Sequence, residues 1–188
     1  AIAAQKMTLE NCTLHDNDSA GHGGAVRHFG GQLTVEGGKF YNNKADNQKS
    51  TDHRGGAIYS YTGSGGLRLS GVEFYENEAR TGGAVYRYDN STSYDYYNVI
   101  ENCKFHDNTA TSGGALYVYV RTLADVTNVR DSEFNDNDAA NGGAIYTDTT
   151  VNIYGCKIHD NEGRSSGGAI YHNSNNADCY VNLYQGAE

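Results

Sequence analysis

One motif, Gly-Gly-Ala followed by an aliphatic residue, occurs six times along this chain of 188 residues. The first glycines of successive copies are 25 to 32 residues apart. Uneven spacing of this kind is typical of a solenoid, whose turns keep their strands and vary their loops. Residues at equivalent positions of successive repeats are therefore expected to stack on one another. The six motifs begin at Gly23, Gly55, Gly82, Gly113, Gly142 and Gly167.

A second motif lies before each pair of glycines: an apolar residue with asparagine three positions later. Short alternating runs such as Leu67-Arg68-Leu69 precede it, which indicates strands, and no stretch has a sustained helical period. The turns recur identically, which favours a parallel helix over an antiparallel sandwich. We predict an all-β, right-handed parallel β-helix of about seven laps, with about three short strands in each lap. The six copies are Leu14/Asn17, Phe40/Asn43, Phe74/Asn77, Phe105/Asn108, Phe134/Asn137 and Ile158/Asn161.

The composition agrees with this fold and excludes some functions. The chain has 24 glycines, which suit tight corners, and no proline, so every backbone N–H can join a ladder. A formal charge of −9 argues against nucleic-acid binding, which requires a basic surface. No apolar run is long enough to span a membrane. We predict a single β-helix domain over residues 1–188.

Both ends of the sequence continue the repeat pattern. Ala1-Ile2 matches the end of the glycine motif, and Val181–Tyr184 repeats Val151–Tyr154. Neither end has an obvious polar cap, which a solitary solenoid needs to cover its terminal strands. We therefore expect either a fragment of a longer helix, which we favour, or a unit stacked end to end on other copies.

Tyrosines recur beside the glycine motif. In Leu116–Val120 the aliphatic residues share one parity and the tyrosines the other, so inward aliphatics place the tyrosines outside. Strands about 4.8 Å apart would stack the rings into two exposed files, and no other face is comparably apolar and continuous. The files are either a self-stabilising ladder or a binding face for a glycan or a protein. They comprise Tyr59, Tyr86, Tyr117, Tyr146 and Tyr171, and then Tyr61, Tyr88 and Tyr119.

The asparagines of the second motif are expected to be structural. A corner asparagine can turn its amide inward, bond to unpaired backbone groups and form a ladder with the laps above and below. The predicted corner ladder contains Asn17, Asn43, Asn77, Asn108, Asn137 and Asn161.

An acidic column precedes the asparagines, and its like charges would repel unless they are screened or bridged. Ca²⁺ between laps is one interpretation, with Asp107, Asp136 and Asp160 as ligands, and a solvated acidic edge is the other. We expect no other cofactor. The three His-Asp pairs that begin at His15, His106 and His159 are at least two laps apart, which is too far for one metal ion.

Cysteines and glycosylation sequons give weaker predictions. Cys12, Cys103 and Cys156 share a column but not adjacent laps, and Cys179 is in another column, so we expect no disulfide. Among three Asn-x-Ser/Thr sequons, Asn90 in a long loop and Asn11 are the candidate acceptors.

The paired Gly-Gly-Ala-Ile/Leu/Val and Phe-x-x-Asn motifs resemble the repeats of the chlamydial polymorphic membrane proteins. The resemblance covers essentially the whole chain, although Leu14 and Ile158 replace phenylalanine in two copies. It implies a β-helical passenger at the cell surface, often adhesive and carried by an autotransporter barrel. No barrel sequence is present in these residues, so the resemblance predicts architecture better than secretion route.

Two classes of function remain open at this point. The first is a non-enzymatic extracellular or cell-surface module, an adhesin or a stalk or fibre component. Its partner would be a glycan, a protein surface or neighbouring copies of itself. The second is a polysaccharide-acting lyase or hydrolase, for which the repeat should be interrupted by a cleft.

Two interruptions were candidates for such a cleft, Asn47–Arg54 and Tyr88–Asn98. Neither pairs two acids with a convincing base, so we predict that the chain is not an enzyme. Their candidate residues are Lys49, Asp52, His53 and Arg54, and then Arg87, Asp89 and Asp95.

Overall fold

The computed structural model describes residues 6–46, 52–62, 65–89, 98–120, 126–174 and 178–185. These residues contain 22 strands and no helix, and all paired strands are parallel. The six strands that follow the glycine motifs enclose about five turns, fewer than the seven expected, because the first and last laps are incomplete. The predicted parallel β-helix is confirmed.

The largest sheet has 11 strands and bends across two segments of each lap. Its two longest strands run through the bend, and in later laps the bend separates two shorter strands. Most laps therefore have four strand segments where three were expected. The strands are Met7–His15, Leu33–Tyr41, Leu67–Ser70, Glu73–Tyr75, Asn98–Glu101, Lys104–His106, Thr127–Arg130, Glu133–Asn135, Val151–Tyr154, Lys157–His159 and Val181–Tyr184.

A six-stranded sheet carries the residues that follow each Gly-Gly-Ala. Its strands are Val26–Gly30, Ile58–Thr62, Val85–Asp89, Leu116–Val120, Ile145–Thr147 and Ile170–His172. Short strands between the asparagine corner and the glycines complete five laps, and isolated bridges at Thr109 and Ser112 take their place in the sixth. The short strands are Asp18–Ser19, Lys44–Ala45, Glu78–Ala79, Asp138–Asn141 and Glu162–Ser166.

The two predicted stacks lie in the interior, together with aliphatic residues of the bent sheet such as Leu69 and Ile100. The aliphatic residues of the glycine motifs pair in register from Val26 to Ile170. The rings of Phe40, Phe74, Phe105 and Phe134 are fully buried, with centroids 4.7 to 5.1 Å apart. Burying a side chain of this size stabilises the fold by roughly 1.5–3 kcal/mol. Because four successive laps each contribute one ring, the phenylalanine stack runs along the solenoid axis, with Leu14 and Ile158 at its two ends.

The asparagine ladder is also confirmed. The Asn77 side-chain nitrogen donates to the Asn108 amide oxygen over 2.9 Å and to the Phe40 carbonyl over 2.9 Å. The same bonds recur in the neighbouring laps. Each asparagine therefore satisfies backbone groups that the corner leaves unpaired, which explains why this residue type recurs.

The acidic column has a backbone explanation. Asp16, Asn42, Glu76, Asp107 and their successors lie at corners with φ between 50° and 56°, the left-handed region that aspartate and asparagine tolerate better than most residues. At the glycine corner the constraint is steric: a Cβ on Gly83 would lie 2.0 Å from the Gly114 carbonyl oxygen. The backbone geometry of the two corners therefore explains both the recurring aspartate or asparagine and the recurring glycine.

One stretch of the interior is polar. Arg87 and Asp89 are fully buried, and an Arg87 Nη2 to Asp89 Oδ2 bond of 3.1 Å joins them. Asn98 accepts from Arg87 Nε over 2.9 Å, and Thr62 donates to Asp89 over 3.1 Å. Arg87 and Asp89 alternate with the tyrosines and point inward like Val85. Assigning them to an open cleft was therefore wrong. Lys49 and Asp95 lie outside the described residues.

Candidate binding groove

Six tyrosines on the outer face of the six-stranded sheet form a groove. The strands pair in register, so Tyr59, Tyr86 and Tyr117 are neighbours in one file and Tyr61, Tyr88 and Tyr119 in the other. These six rings and Arg54 line a groove of about 450 Å³, which we call the tyrosine groove. Tyr146 continues the first file, and Tyr171 follows it.

The rings of each file stack on one another. Centroids in the first file are 4.5 to 5.5 Å apart from Tyr59 to Tyr146, and in the second file 4.4 to 5.1 Å from Phe29 to Tyr119. The ring planes lie within 29° of each other, whereas Tyr171 is tilted by 50° from Tyr146. Neighbouring rings therefore occupy the ring faces, and the groove presents ring edges and phenolic hydroxyls.

The tyrosines are less exposed than the sequence predicted. Tyr59 and Tyr86 retain only 6% and 4% of their accessible surface, and the other six are half-buried. Side chains from the preceding corner cover the first file: the His22 ring stacks on Tyr59 at 4.7 Å, and the Arg54 guanidinium carbon lies 5.1 Å from the Tyr86 centroid. The prediction of two fully exposed files was therefore wrong for Tyr59 and Tyr86.

Burial also changes the chemistry of the first file. It raises the pKa of Tyr59, and it raises the pKa of Tyr86 and Tyr117 far above the ordinary value for a phenol. These hydroxyls stay protonated across the physiological range. They can act as hydrogen-bond donors and acceptors but not as bases at neutral pH.

The two ends of the groove differ in charge. Arg27 lies 6.0 Å from the Tyr59 ring, and Arg54 Nε forms an ion pair of 2.6 Å with Asp52. Burial lowers the pKa of His22; the charge of Asp52 opposes this shift, and the charges of Arg54 and Arg27 add to it, so the net pKa is below the ordinary value. This end therefore carries two guanidinium groups in a chain whose formal charge is −9.

Asp148 lies at the other end. The pairing of Val118 with Thr147 places the next residue, Asp148, one lap beyond Tyr119 in the second file. Its side chain is half-buried, and its Oδ1 is a buried atom without a hydrogen-bond partner in the described structure. Burial raises the pKa of this carboxyl to about 7. Asp148 has the outward parity of the tyrosines, but nothing in the sequence pattern marks it as a functional residue.

A second aromatic ladder lies on the bent sheet. His15, Tyr41, Tyr75 and His106 stack with centroids 4.7 to 5.0 Å apart and planes within 6°. This ladder is continuous over four laps, but two of its four rings are histidines, so it is less apolar than the tyrosine files. Each of these residues directly follows the apolar residue of the second motif. That regularity could have revealed the ladder, which the sequence analysis missed.

The calcium candidates stay apart in the structure. Each carboxylate bonds to the side chain just before it: Asp107 to His106 at 2.6 Å, Asp136 to Asn135 at 2.5 Å and Asp160 to His159 at 2.8 Å. Among the described residues, no three His, Cys, Asp or Glu side chains converge as metal ligands. Calcium between laps stays a prediction.

The remaining predictions concern the glycosylation sequons and the cysteines. Asn11 is exposed at a left-handed corner with φ of 50°, and Asn90 lies outside the described residues. All four cysteines are free, as predicted. Burial raises the pKa of Cys103 to about 12, which makes that thiol unreactive.

Comparison with known proteins identifies the family. The sequence model described as the right-handed β-helix region matches residues 1–156. No curated protein and no solved structure is significantly similar to the chain. Within the described ranges there is no helix with the length and apolarity needed to cross a membrane. Because this family model matches most of the chain, the protein belongs to the right-handed β-helix family.

Proposed function

We propose that this β-helix is a non-enzymatic module of an extracellular or cell-surface protein, and that a protein partner binds in its tyrosine groove. The resemblance to chlamydial polymorphic membrane protein repeats supports the location and an adhesive or fibre-forming role. The observation that carries the proposal is the groove itself, with six in-register tyrosines and a rim arginine on one face. Tyrosine and arginine are enriched where proteins meet.

The stacking of the rings favours a protein over a glycan as the partner. Sugars bind aromatic residues mainly through the ring face, and neighbouring rings cover both faces of Tyr86 and of Tyr88. Ring edges and hydroxyls suit the mixed polar and apolar surface of a protein. Each contact would be modest, so affinity would come from repetition along the file.

The alternative is a polysaccharide-acting enzyme. Such chemistry commonly uses two carboxyl groups on either side of the scissile bond. The described lining of the groove consists of tyrosines and Arg54, and Arg87 and Asp89 are fully buried in the interior. This arrangement favours a binding module over an enzyme.

An adhesion assay tests the proposal. Beads coated with the protein, or with a variant in which Tyr61, Tyr88 and Tyr119 are all changed to threonine, would be counted on cultured epithelial cells. Threonine removes the rings but keeps a side chain that favours strands. These three side chains are half-buried, so their replacement should disturb the fold less than replacement of the buried Tyr59 or Tyr86. We expect the variant to lose adhesion by about tenfold or more, since three ring contacts disappear together.

A matched control comes from the second aromatic ladder. Changing Tyr41 and Tyr75 to threonine removes stacked, half-buried rings from another face and should leave adhesion unchanged. Circular dichroism would check that both variants keep the β-helix. If the groove variant adheres like the parent, the tyrosines are only a structural ladder and the proposal is wrong.

A further inference from the structure

The exceptional group at the tyrosine groove is the carboxyl of Asp148. Some other acids of the surface have cationic partners: Glu73 pairs with Lys39 at 2.8 Å, and Glu101 with Arg68 at 2.6 Å. By contrast, the Asp148 carboxyl has no ion pair among the described residues: backbone N–H groups of Asp148 and Val120 interact with it, and its Oδ1 is a buried atom without a hydrogen-bond partner. A buried oxygen without a donor is costly, and native structures contain few of them. This atom therefore needs an explanation.

The position of Asp148 relates it to the groove. It succeeds Tyr119 in the second file, and its backbone N–H donates to the Val118 carbonyl over 3.4 Å. Its charge acts on the Tyr117 and Tyr86 hydroxyls, whose pKa it helps to raise. A ligand that follows the tyrosines away from Arg54 would reach this carboxyl next.

The surroundings indicate what kind of group would pair with it. A divalent metal ion requires several oxygen or nitrogen ligands, and no group of three metal-binding side chains occurs among the described residues. A single carboxylate beside phenolic hydroxyls suits an organic cation, which one ion pair and a few hydrogen bonds satisfy. Such a cation would also offset the burial that raises the pKa of Asp148 to about 7.

We propose that Asp148 receives a basic side chain, the ammonium of a lysine or the guanidinium of an arginine, from a protein segment that lies in the tyrosine groove. This inference rests on the proposed function and specifies its partner: the bound segment carries a positive charge at the Asp148 end. At the opposite end the groove supplies its own guanidinium groups, from Arg27 and Arg54. The two charges would fix the direction in which the segment binds.

The test measures binding of a fluorescent tetralysine peptide to the whole chain at about pH 8, where the Asp148 carboxyl is ionised. Physiological salt limits general attraction to the acidic protein. Asp148→Asn keeps the shape of the side chain and removes its charge. We expect this variant to bind the peptide about tenfold more weakly than the parent. The control is Asp107→Asn, which makes the same charge change at an exposed corner on another face and should alter affinity less than about twofold.

Equal binding by the parent and Asp148→Asn would overturn the proposal, as would equal losses in both variants. A fluorescent tetramer of glucosamine forms the second arm, because its ammonium groups come from a sugar. If it binds more tightly than tetralysine and with the same dependence on Asp148, the partner is an amino sugar and the assignment to a protein segment is wrong.

The adhesion assay separates this failure from a failure of the proposed function. If Asp148→Asn binds tetralysine like the parent and the threonine variant still loses adhesion, the cation site is rejected and the groove proposal stands. If Asp148→Asn binds tetralysine more weakly but the threonine variant adheres like the parent, the cation site is supported and the groove is rejected as the adhesive surface.

Discussion

Asn108 accepts, through its side-chain oxygen, bonds from both the backbone N–H and the side-chain amide of Asn77, at 3.1 and 2.9 Å. Its own amide donates to the Phe74 carbonyl over 3.0 Å. Asn108→Ala leaves these buried groups unpaired, so we expect a loss of roughly 2–4 kcal/mol in the free energy of unfolding. Denaturant unfolding measures it. Asn17→Ala, at an exposed position of the ladder, should cost clearly less, and equal losses would contradict the account.

The ring stacks should differ in their contribution to stability. Phe105 is fully buried between Phe74 and Phe134, so Phe105→Ala should destabilise the protein by roughly 3–5 kcal/mol. Tyr119→Ala removes a half-buried ring with a stacking partner in Tyr88 and should cost less than about 1.5 kcal/mol. Chemical denaturation of both variants tests the ranking. A larger cost for Tyr119→Ala would mean that the tyrosine file, rather than the phenylalanine stack, is the main support.

Two glycines provide a matched pair of corner substitutions. Gly83→Ala would place a Cβ 2.0 Å from the Gly114 carbonyl oxygen, so we expect the β-helix to be severely destabilised around this lap. Gly71 has a positive φ, of 64°, unlike Gly83, and a Cβ there has no neighbour within 4 Å. Gly71→Ala should therefore cost only about 1 kcal/mol of backbone strain. Thermal melting compares the two, and similar melting temperatures would show that the close approach of the laps at Gly83 is unimportant.

The stability of the protein should depend on pH through Asp148. Its pKa rises from 3.8 to about 7 on folding, so the folded state holds a proton more tightly than the unfolded state. The free energy of unfolding should therefore fall as the pH increases from about 4 to about 7. Asp148→Asn should remove this part of the dependence and be the more stable form at about pH 8, by on the order of 1 kcal/mol because solvent screens a half-buried group. Melting temperatures measured at several pH values test this. If the difference in melting temperature between parent and variant does not change over this pH range, the pKa of the Asp148 carboxyl is not raised by folding.

Periodic features made most of the fold predictable. The inward stacks and the asparagine ladder each depend on one residue type that recurs at a fixed offset, so their register follows from the sequence. The same parity places Arg87 and Asp89 inside, and assigning them to a cleft ignored it. The lap count was overestimated because incomplete laps still contain recognisable motifs.

The details of the candidate site were less predictable. The burial of Tyr59 and Tyr86 depends on His22 and Arg54, which come from corners whose conformation has no period. The unpaired oxygen of Asp148 appears only when its neighbours are placed in space. The strand spacing predicts that the rings stack, but only the ring positions show that adjacent rings cover both faces of Tyr86 and Tyr88.

The most direct test of the central claim measures which tyrosines the partner covers. Hydroxyl-radical footprinting with mass spectrometry would compare the free protein with the protein bound to cells. We expect Tyr61, Tyr88 and Tyr119 to lose oxidation on binding, while Tyr41 and Tyr75, on the other aromatic ladder, react as before. Unchanged oxidation of the groove tyrosines in the bound protein, or protection confined to Tyr41 and Tyr75, would contradict the proposal that the partner binds in the tyrosine groove.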